Sequence, residues 1–263
     1  MKSLIKNIGK SILPEIWRIK LRRAKDYAEA IKYHVLFNED TCCTANTLRC
    51  LSNKKSKGYC HDVLGRNIPV CCASHLVELL FWTDNVFRKN NLSYMIAYGT
   101  LLGAVRHHGG IIPWDTDADC YIDKGDVDRI YKILLEEKRA SHVPYHIKME
   151  NHEIYGDVIK ICFSETNLLH VDLFSYVLDA DSGVVDFCVC KVLTKEVFPL
   201  REIEFYGRKV YAPKTNAFLN IYYGKDWDKY YFPKWGLFTQ KRLLTDDKRK
   251  PAVIDENLIK EKY

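Results

Sequence analysis

The amino-acid sequence predicts a mixed α/β domain: a mixed sheet flanked by helices, with a small cysteine-rich loop ahead of it. Three observations carry this. Stretches with apolar residues every three or four positions alternate with short runs rich in Val, Ile, Tyr and Phe, so helices and strands interleave. A chain of 263 residues that is 47% hydrophobic and 28% charged can bury a full core and is not globally disordered. Asp115, Asp117 and Asp119 alternate in a run that otherwise reads as a strand, which puts three carboxylates on one face.

Residues 1–37 read as an amphipathic helical segment. Leu4, Ile5, Ile8, Ile12, Ile16 and Ile19 recur at helical spacing opposite Lys2, Lys6, Lys10, Arg18 and Lys20. Such a stretch docks on a domain or, through residues 1–22, lies on a membrane surface. The cations interrupt any secretory signal, and no apolar run is long enough to span a bilayer. Residues 38–73 are irregular, polar and rich in cysteine, with a basic loop at Lys54-Lys55-Ser56-Lys57-Gly58.

The catalytic domain is expected over residues 74–239. Ser74 is a good N-cap, and Leu76, Leu79, Leu80, Thr83 and Phe87 step by three and four to about Lys89. A strand over 94–98 runs into Gly99, followed by a short helix over 101–107 and a loop through Gly109-Gly110. A strand over 116–122 carries the acids. Asp126 caps a second amphipathic helix bearing Ile130, Tyr131, Ile133 and Leu134. Strands follow near 145–149, 158–163 and 170–176, then a hairpin turning at Gly207 and a helix over 217–223. The charged tail, 240–263, is expected to be exposed.

Lys and Arg outnumber Asp and Glu by 40 to 34, for a net charge of +6. This mild basicity suits a phosphorylated ligand and is too weak to nominate nucleic acid as a partner. The 17 tyrosines and five tryptophans fit sugar or nucleotide stacking and fit a bulky core equally well.

The Gly99-Thr100 turn offers backbone N–H groups at the start of a helix, where the orphan donors and the dipole favour a phosphate. The Thr100 hydroxyl adds a donor. Crowded carboxylates repel one another unless a cation sits between them, so Asp117 and Asp119 point to a magnesium site. Asp172, a lone acid in an apolar strand, is the candidate third ligand, because burying it unpaired would be costly. An EF-hand loop is the rival reading of the alternating acids. Counted from Asp115, however, its glycine position holds Cys120 and its last position holds Asp126. A solvated acidic strand without metal is the bland alternative.

The run from Gly99 to His107, followed by Ile112-Pro113-Trp114-Asp115-Thr116-Asp117-Ala118-Asp119, resembles the signature of the LicD family, which includes the fukutin and fukutin-related proteins. Val171-Asp172-Leu173-Phe174, Phe198-Pro199-Leu200, Ala212-Pro213-Lys214 and Tyr222-Tyr223-Gly224 with Trp227 extend the resemblance over about Ser74 to Lys229. Thr116 departs from it, since many members carry another acid there. The resemblance implies a nucleotidyltransferase fold of the polymerase-β type. It also implies transfer of a phospho-alcohol (ribitol phosphate, phosphocholine or glycerol phosphate) from a CDP-linked donor to a glycan acceptor. In that reading Asp117, Asp119 and Asp172 hold Mg²⁺ (or Mn²⁺). One of these acids, or Asp115, takes the acceptor's proton, and Gly99, Thr100, Arg106 and His107 contact substrate. Two other classes stay open: a non-catalytic glycan or nucleotide binder, and nucleotidyl transfer from a triphosphate.

Cys43, Cys50, Cys71 and Cys72 are similar in spacing to a zinc-binding loop of the family, which implies a structural Zn²⁺; the resemblance also implies a Golgi or secretory lumen. Disulfides or free thiols are the competing readings. Cys42 and Cys60 are spare ligands, while Cys120, Cys162, Cys188 and Cys190 are expected to be buried small apolar residues.

Overall fold

The computed structural model describes residues 44–46, 67–231 and 242–260. The amphipathic segment at 1–37, Cys42, Cys43, Cys50, Cys60 and the basic loop at 54–58 lie outside the described residues.

Helix α1 (Val70–Lys89) is the central rod of the core, buried on nearly every side from Cys71 to Phe87. It starts four residues before the expected cap, with Pro69 at the N-cap position. Ser74 lies inside the helix instead. Its hydroxyl donates to Val70 O at 2.7 Å and accepts from Asp255 N at 2.8 Å. The apolar run Cys71-Cys72-Ala73 extends the helical stripe, so burial overrode the local capping signal.

Strand β1 (Met95–Ile96) is only two residues long, because Tyr98 already begins helix α2 (Tyr98–Arg106). Strand β2 (Ala118–Asp123) is followed by a 3₁₀ turn, Lys124–Asp126, and helix α3 (Val127–Ser141). Asp126 occupies the N-cap position of α3 without a side-chain cap bond; it is Asp123 that accepts from Gly125 N, at 2.7 Å. Ile130 and Leu134 turn inward as their spacing predicted.

Strands β3 (His146–His152), β4 (Gly156–Cys162) and β5 (His170–Asp179) complete the main sheet, whose order is β1-β2-β5-β4-β3. Strands β6 (Val184–Asp186) and β7 (Lys191–Leu193) continue from the far end of β5. Among the described residues only β2 and β5 run parallel; the other pairs are antiparallel, so the sheet is mixed. A short helix α4 (Thr194–Val197) leads to a separate hairpin, β8 (Arg201–Phe205) and β9 (Arg208–Ala212), which turns at Gly207 as expected. Helix α5 (Ala217–Tyr223) follows.

The chain then pairs β10 (Tyr230–Tyr231) with β11 (Arg242–Leu243), and ends in α6 (Asp246–Arg249) and α7 (Asn257–Lys260). This tail is not the exposed appendage that its charge suggested. Leu244, Ala252 and Ile259 are buried, Ala252 N donates to Ile111 O at 2.9 Å, and Tyr206 Oη donates to Ala252 O at 2.7 Å. A few apolar side chains at the right positions dock a segment whose composition is polar. Among the described residues no helix is long and apolar enough to cross a membrane.

Cys120 and Cys162 are buried as expected, but Cys188 is exposed in a turn with φ +67° and Cys190 is half-buried.

Candidate active site

The site is built where the two parallel strands meet. In the register of β2 and β5, Asp119 stands directly beside Asp172. Neighbouring residues on adjacent strands share a face, so both carboxylates open into the same space. Asp119 is also fixed by its backbone: its N–H donates to Thr100 Oγ1 at 2.8 Å and its carbonyl accepts from Ala97 N at 2.9 Å. Thr100 is buried and does not reach the cavity; its oxygen ties α2 to β2 and so aims Asp119.

A cavity of about 540 Å³ lies against this edge, lined by Gly99, Arg106, Asp115, Asp117, Asp119 and Asp172 together with a large aromatic surface. The three alternating acids are not on one strand face. β2 begins only at Ala118, Asp117 precedes it, and Asp115 sits in a turn closed by its own N–H on Ile112 O at 2.8 Å. The loop, with the start of β2, nonetheless delivers all three to the cavity. Asp115 Oδ1 accepts from Thr116 N at 3.1 Å, and its Oδ2 lies where a Cβ on Gly99 would be. Glycine at 99 is therefore required by the close approach of a carboxylate to the first turn of α2, where helix geometry favours negative charge. The place expected for a donor phosphate is shared by Asp115. The other glycines of this stretch are also packing positions: a Cβ on Gly110 would meet Pro251 Cβ at 2.5 Å.

Asp172 has a cation of its own. Lys160, opposite it on β4, donates to both oxygens at 2.8 Å, and His170 Nε2 lies 3.5 Å from Oδ2. Burial by itself would raise the Asp172 pKa, but His170 and Lys160 outweigh it and hold the carboxyl below its ordinary value. Burial likewise opposes the charge on His170 and Lys160, and Asp172 wins in both, raising their pKa values. The sequence reading required a partner for this acid; the partner is a lysine whose role emerges only once β4 pairs with β5.

Arg106 lines the cavity, whereas His107, also expected to contact substrate, does not. Arg106 is buried at the cavity wall, donating from Nη1 to Trp227 O at 2.9 Å and Tyr230 O at 3.4 Å. Burial lowers its pKa to about 10, partly countered by Tyr223 and Asp115, so it remains a cation at neutral pH. His107 is fully buried behind Arg106 and does not line the cavity. Arg106 Nε donates to its Nε2 at 3.1 Å. Because arginine only donates, the neutral ring carries its proton on Nδ1. Among the described residues Nδ1 has no partner within hydrogen-bond geometry, although the Lys250 backbone lies near the ring. Burial, then Arg106, push the His107 pKa down to about 3. His108 is exposed at φ +51°.

The aromatic lining was not assigned to the site from sequence. Tyr98, Tyr155, Phe174, Tyr222 and Tyr223 line one part; Trp114, Trp227, Tyr230 and Tyr231 line another. Tyr98 and Tyr121 share a short hydroxyl–hydroxyl hydrogen bond, and Tyr98 packs edge-on against Phe174 and Tyr222. In the sequence, Tyr222-Tyr223-Gly224 with Trp227 stands out only as part of a family pattern.

Among the described residues no three His, Cys, Asp or Glu side chains stand close enough to hold a metal ion by themselves. Asp117 and Asp119 are hard oxygen donors facing the same cavity, which fits a magnesium ion completed by water and substrate phosphates. Asp172 is engaged by Lys160. Cys71 and Cys72 are buried in the first turn of α1. Thr44, which follows Cys43, accepts at its carbonyl from Asn167 Nδ2 at 3.4 Å.

A carboxylate-lined cavity over the inner strands β2 and β5 of a mixed sheet, beside a glycine-containing helix start, is consistent with a nucleotidyltransferase-type domain. Residues 91–215 match the family model described as LicD/FKTN/FKRP, nucleotidyltransferase domain, so this part of the chain carries a domain of that type. It is 32% identical to the mouse (Mus musculus) ribitol 5-phosphate transferase FKRP over 188 residues, 69% of this chain and 38% of that protein. It is 37% identical to the Haemophilus influenzae lipopolysaccharide cholinephosphotransferase LicD over 114 residues, 38% of this chain and 41% of that protein. The chain thus spans about two fifths of the length of these curated relatives. Among solved structures, ANT(2")-Ia in complex with adenylyl-2"-tobramycin aligns over 52% of this chain and 68% of its own, with TM-score 0.38 and 14% identity.

Proposed function

We propose that this domain transfers a phospho-alcohol from a CDP-linked donor to a hydroxyl of a glycan, with magnesium (or manganese) as cofactor. The observation that carries this reading is the convergence of Asp115, Asp117, Asp119 and Asp172 on one cavity, with Asp119 and Asp172 in register on parallel strands. The similarity to a ribitol 5-phosphate transferase and to a cholinephosphotransferase supports the class of group transferred.

In the reaction, the acceptor oxygen forms a bond to the phosphorus next to the alcohol. The bond from that phosphorus to the CMP oxygen breaks, and CMP leaves. Asp117 and Asp119 would hold the metal, which when bound neutralises charge on the diphosphate and the departing CMP. A cavity carboxylate takes the proton of the acceptor hydroxyl. Lys160 and His170 keep Asp172 ionised, so the negative charge opposite the substrate persists at neutral pH. Arg106 and Lys225 add positive charge to the same cavity for an anionic donor.

The test is CMP release from CDP-ribitol, CDP-choline and CDP-glycerol with magnesium, with and without a glycan acceptor. Release from one of the three supports the reading. Binding of all three without release makes the domain a binder, and pyrophosphate release from CTP or ATP makes it a nucleotidyltransferase. For the cysteine loop we infer a structural zinc held by Cys43, Cys50, Cys71 and Cys72, the last two side by side in a buried turn. Metal analysis of the purified protein with and without reductant separates zinc from disulfides.

A further inference from the structure

The segment 224–231 carries Trp227, Tyr230 and Tyr231 into the cavity, and long-range tethers converge on it. Arg106 Nη1 grips Trp227 O at 2.9 Å and Tyr230 O at 3.4 Å. From the C-terminal segment, Arg249 Nη2 donates to Asp228 O at 2.6 Å and Leu244 N donates to Lys229 O at 2.9 Å. Tyr230 and Tyr231 also pair with Leu243 and Arg242. The result is a wall in which Tyr231 packs against Trp114, ring centroids 5.1 Å apart and tilted by 39°. Both rings are half-buried cavity residues. An arginine that spends its donors on main-chain carbonyls sets the position of a backbone, which is a geometric task that a lysine's point charge does not reproduce.

We propose that Trp114 and Tyr231 form the stacking subsite for the donor's nucleobase, and that Arg106 and Arg249 are positioning residues that hold this wall in place. This rests on the CDP-donor reading of the cavity. The base is the only flat ring in such a donor, since ribitol, choline and glycerol are chains, and flat aromatic surface recognises flat rings. The neighbouring Arg106 cation suits the phosphates that lead away from the base.

The experiment uses CMP and inorganic pyrophosphate as probes, with tryptophan fluorescence or calorimetry as the binding readout. Amide hydrogen exchange over residues 224–231 reads the wall without any ligand. Arg106→Lys and Arg249→Ala are expected to raise exchange in that segment and to weaken CMP about tenfold, within the range for loss of one base–aromatic stack. Pyrophosphate binding is expected to be nearly unchanged in Arg249→Ala. The double variant is expected to be little worse than either single one, because both grip the same segment. Trp114→Leu should weaken CMP to a similar extent without changing exchange at 224–231.

If Arg106 acts on phosphates alone and does not hold the wall, Arg106→Lys retains CMP and exchange stays slow, which overturns the proposal. Wild-type protein that transfers a phospho-alcohol while both arginine variants bind CMP normally overturns the wall alone. Wild-type protein that binds CMP but transfers nothing breaks the functional reading and leaves the wall standing. Failure of wild-type protein to bind CMP overturns both.

Discussion

The two sides of the cavity are held by different means. On one side Asp119 and Asp172 are placed by a ladder of main-chain hydrogen bonds between parallel strands, reinforced by Thr100 under Asp119. On the other side Trp227, Tyr230 and Tyr231 are placed by arginine side chains and a two-residue strand pair reaching across the fold. A ladder position survives the loss of any single side chain, because its partners are backbone groups. A tethered segment depends on a few side-chain donors, so single substitutions move it. The carboxylate side is therefore the rigid half of the site and the aromatic side the adjustable one.

The largest effect should come from the rigid half. Asp119→Asn is expected to lower CMP release from the active CDP-alcohol by at least about 100-fold while leaving thermal unfolding within a few degrees of wild type. A comparable loss of melting temperature would show that the ladder does not carry that side by itself. Next comes Gly99→Ala, whose methyl group would overlap Asp115 Oδ2. It should cost about 1–3 kcal/mol of stability as overpacking and displace Asp115, lowering turnover with it. Wild-type turnover and stability in this variant would mean that Asp115 has an alternative position.

The third prediction concerns the buried joint between the halves. Folded His107 stays neutral down to about pH 3, whereas an exposed histidine protonates near 6.5. Because the unfolded state binds the extra proton, stability falls as the pH drops from 6.5 toward about 3. His107→Gln should flatten that part of the curve in urea unfolding series at several pH values. An unchanged slope would move the acid sensitivity elsewhere. The smallest effect is expected from Lys89→Ala. Its exposed pair with Glu137, 2.8 Å apart, should be worth less than about 1 kcal/mol, with no change in transfer.

Legibility from the sequence followed the same division. Periodicity located α1, α3, the acid-bearing strand and the β8–β9 hairpin, because side chains repeat along helices and strands at fixed intervals. The acids of the cavity were also readable, since carboxylates in an apolar run need a reason to be there. Ser74 misled because a good cap is a local signal, and the apolar stretch before it continued the buried stripe. Asp115 misled because alternation implied a strand where a turn exists. The expected contacts of Thr100 and His107 with substrate fell short for a related reason: both side chains point into the protein rather than the cavity.

What the sequence by itself determined was the α/β class, the identity of the cavity carboxylates and the glycine-containing helix start, all encoded within short windows. Only the tertiary structure decided that Lys160 faces Asp172, that Asp115 closes on Gly99, and that Arg106 grips the carbonyls of Trp227 and Tyr230. Arg106 and Trp227 are separated by 121 positions, and no local pattern records such a pairing. It exists because the sheet and the docked C-terminal segment bring the two ends of the site together, and the buried arginine then takes the carbonyl partners it finds there.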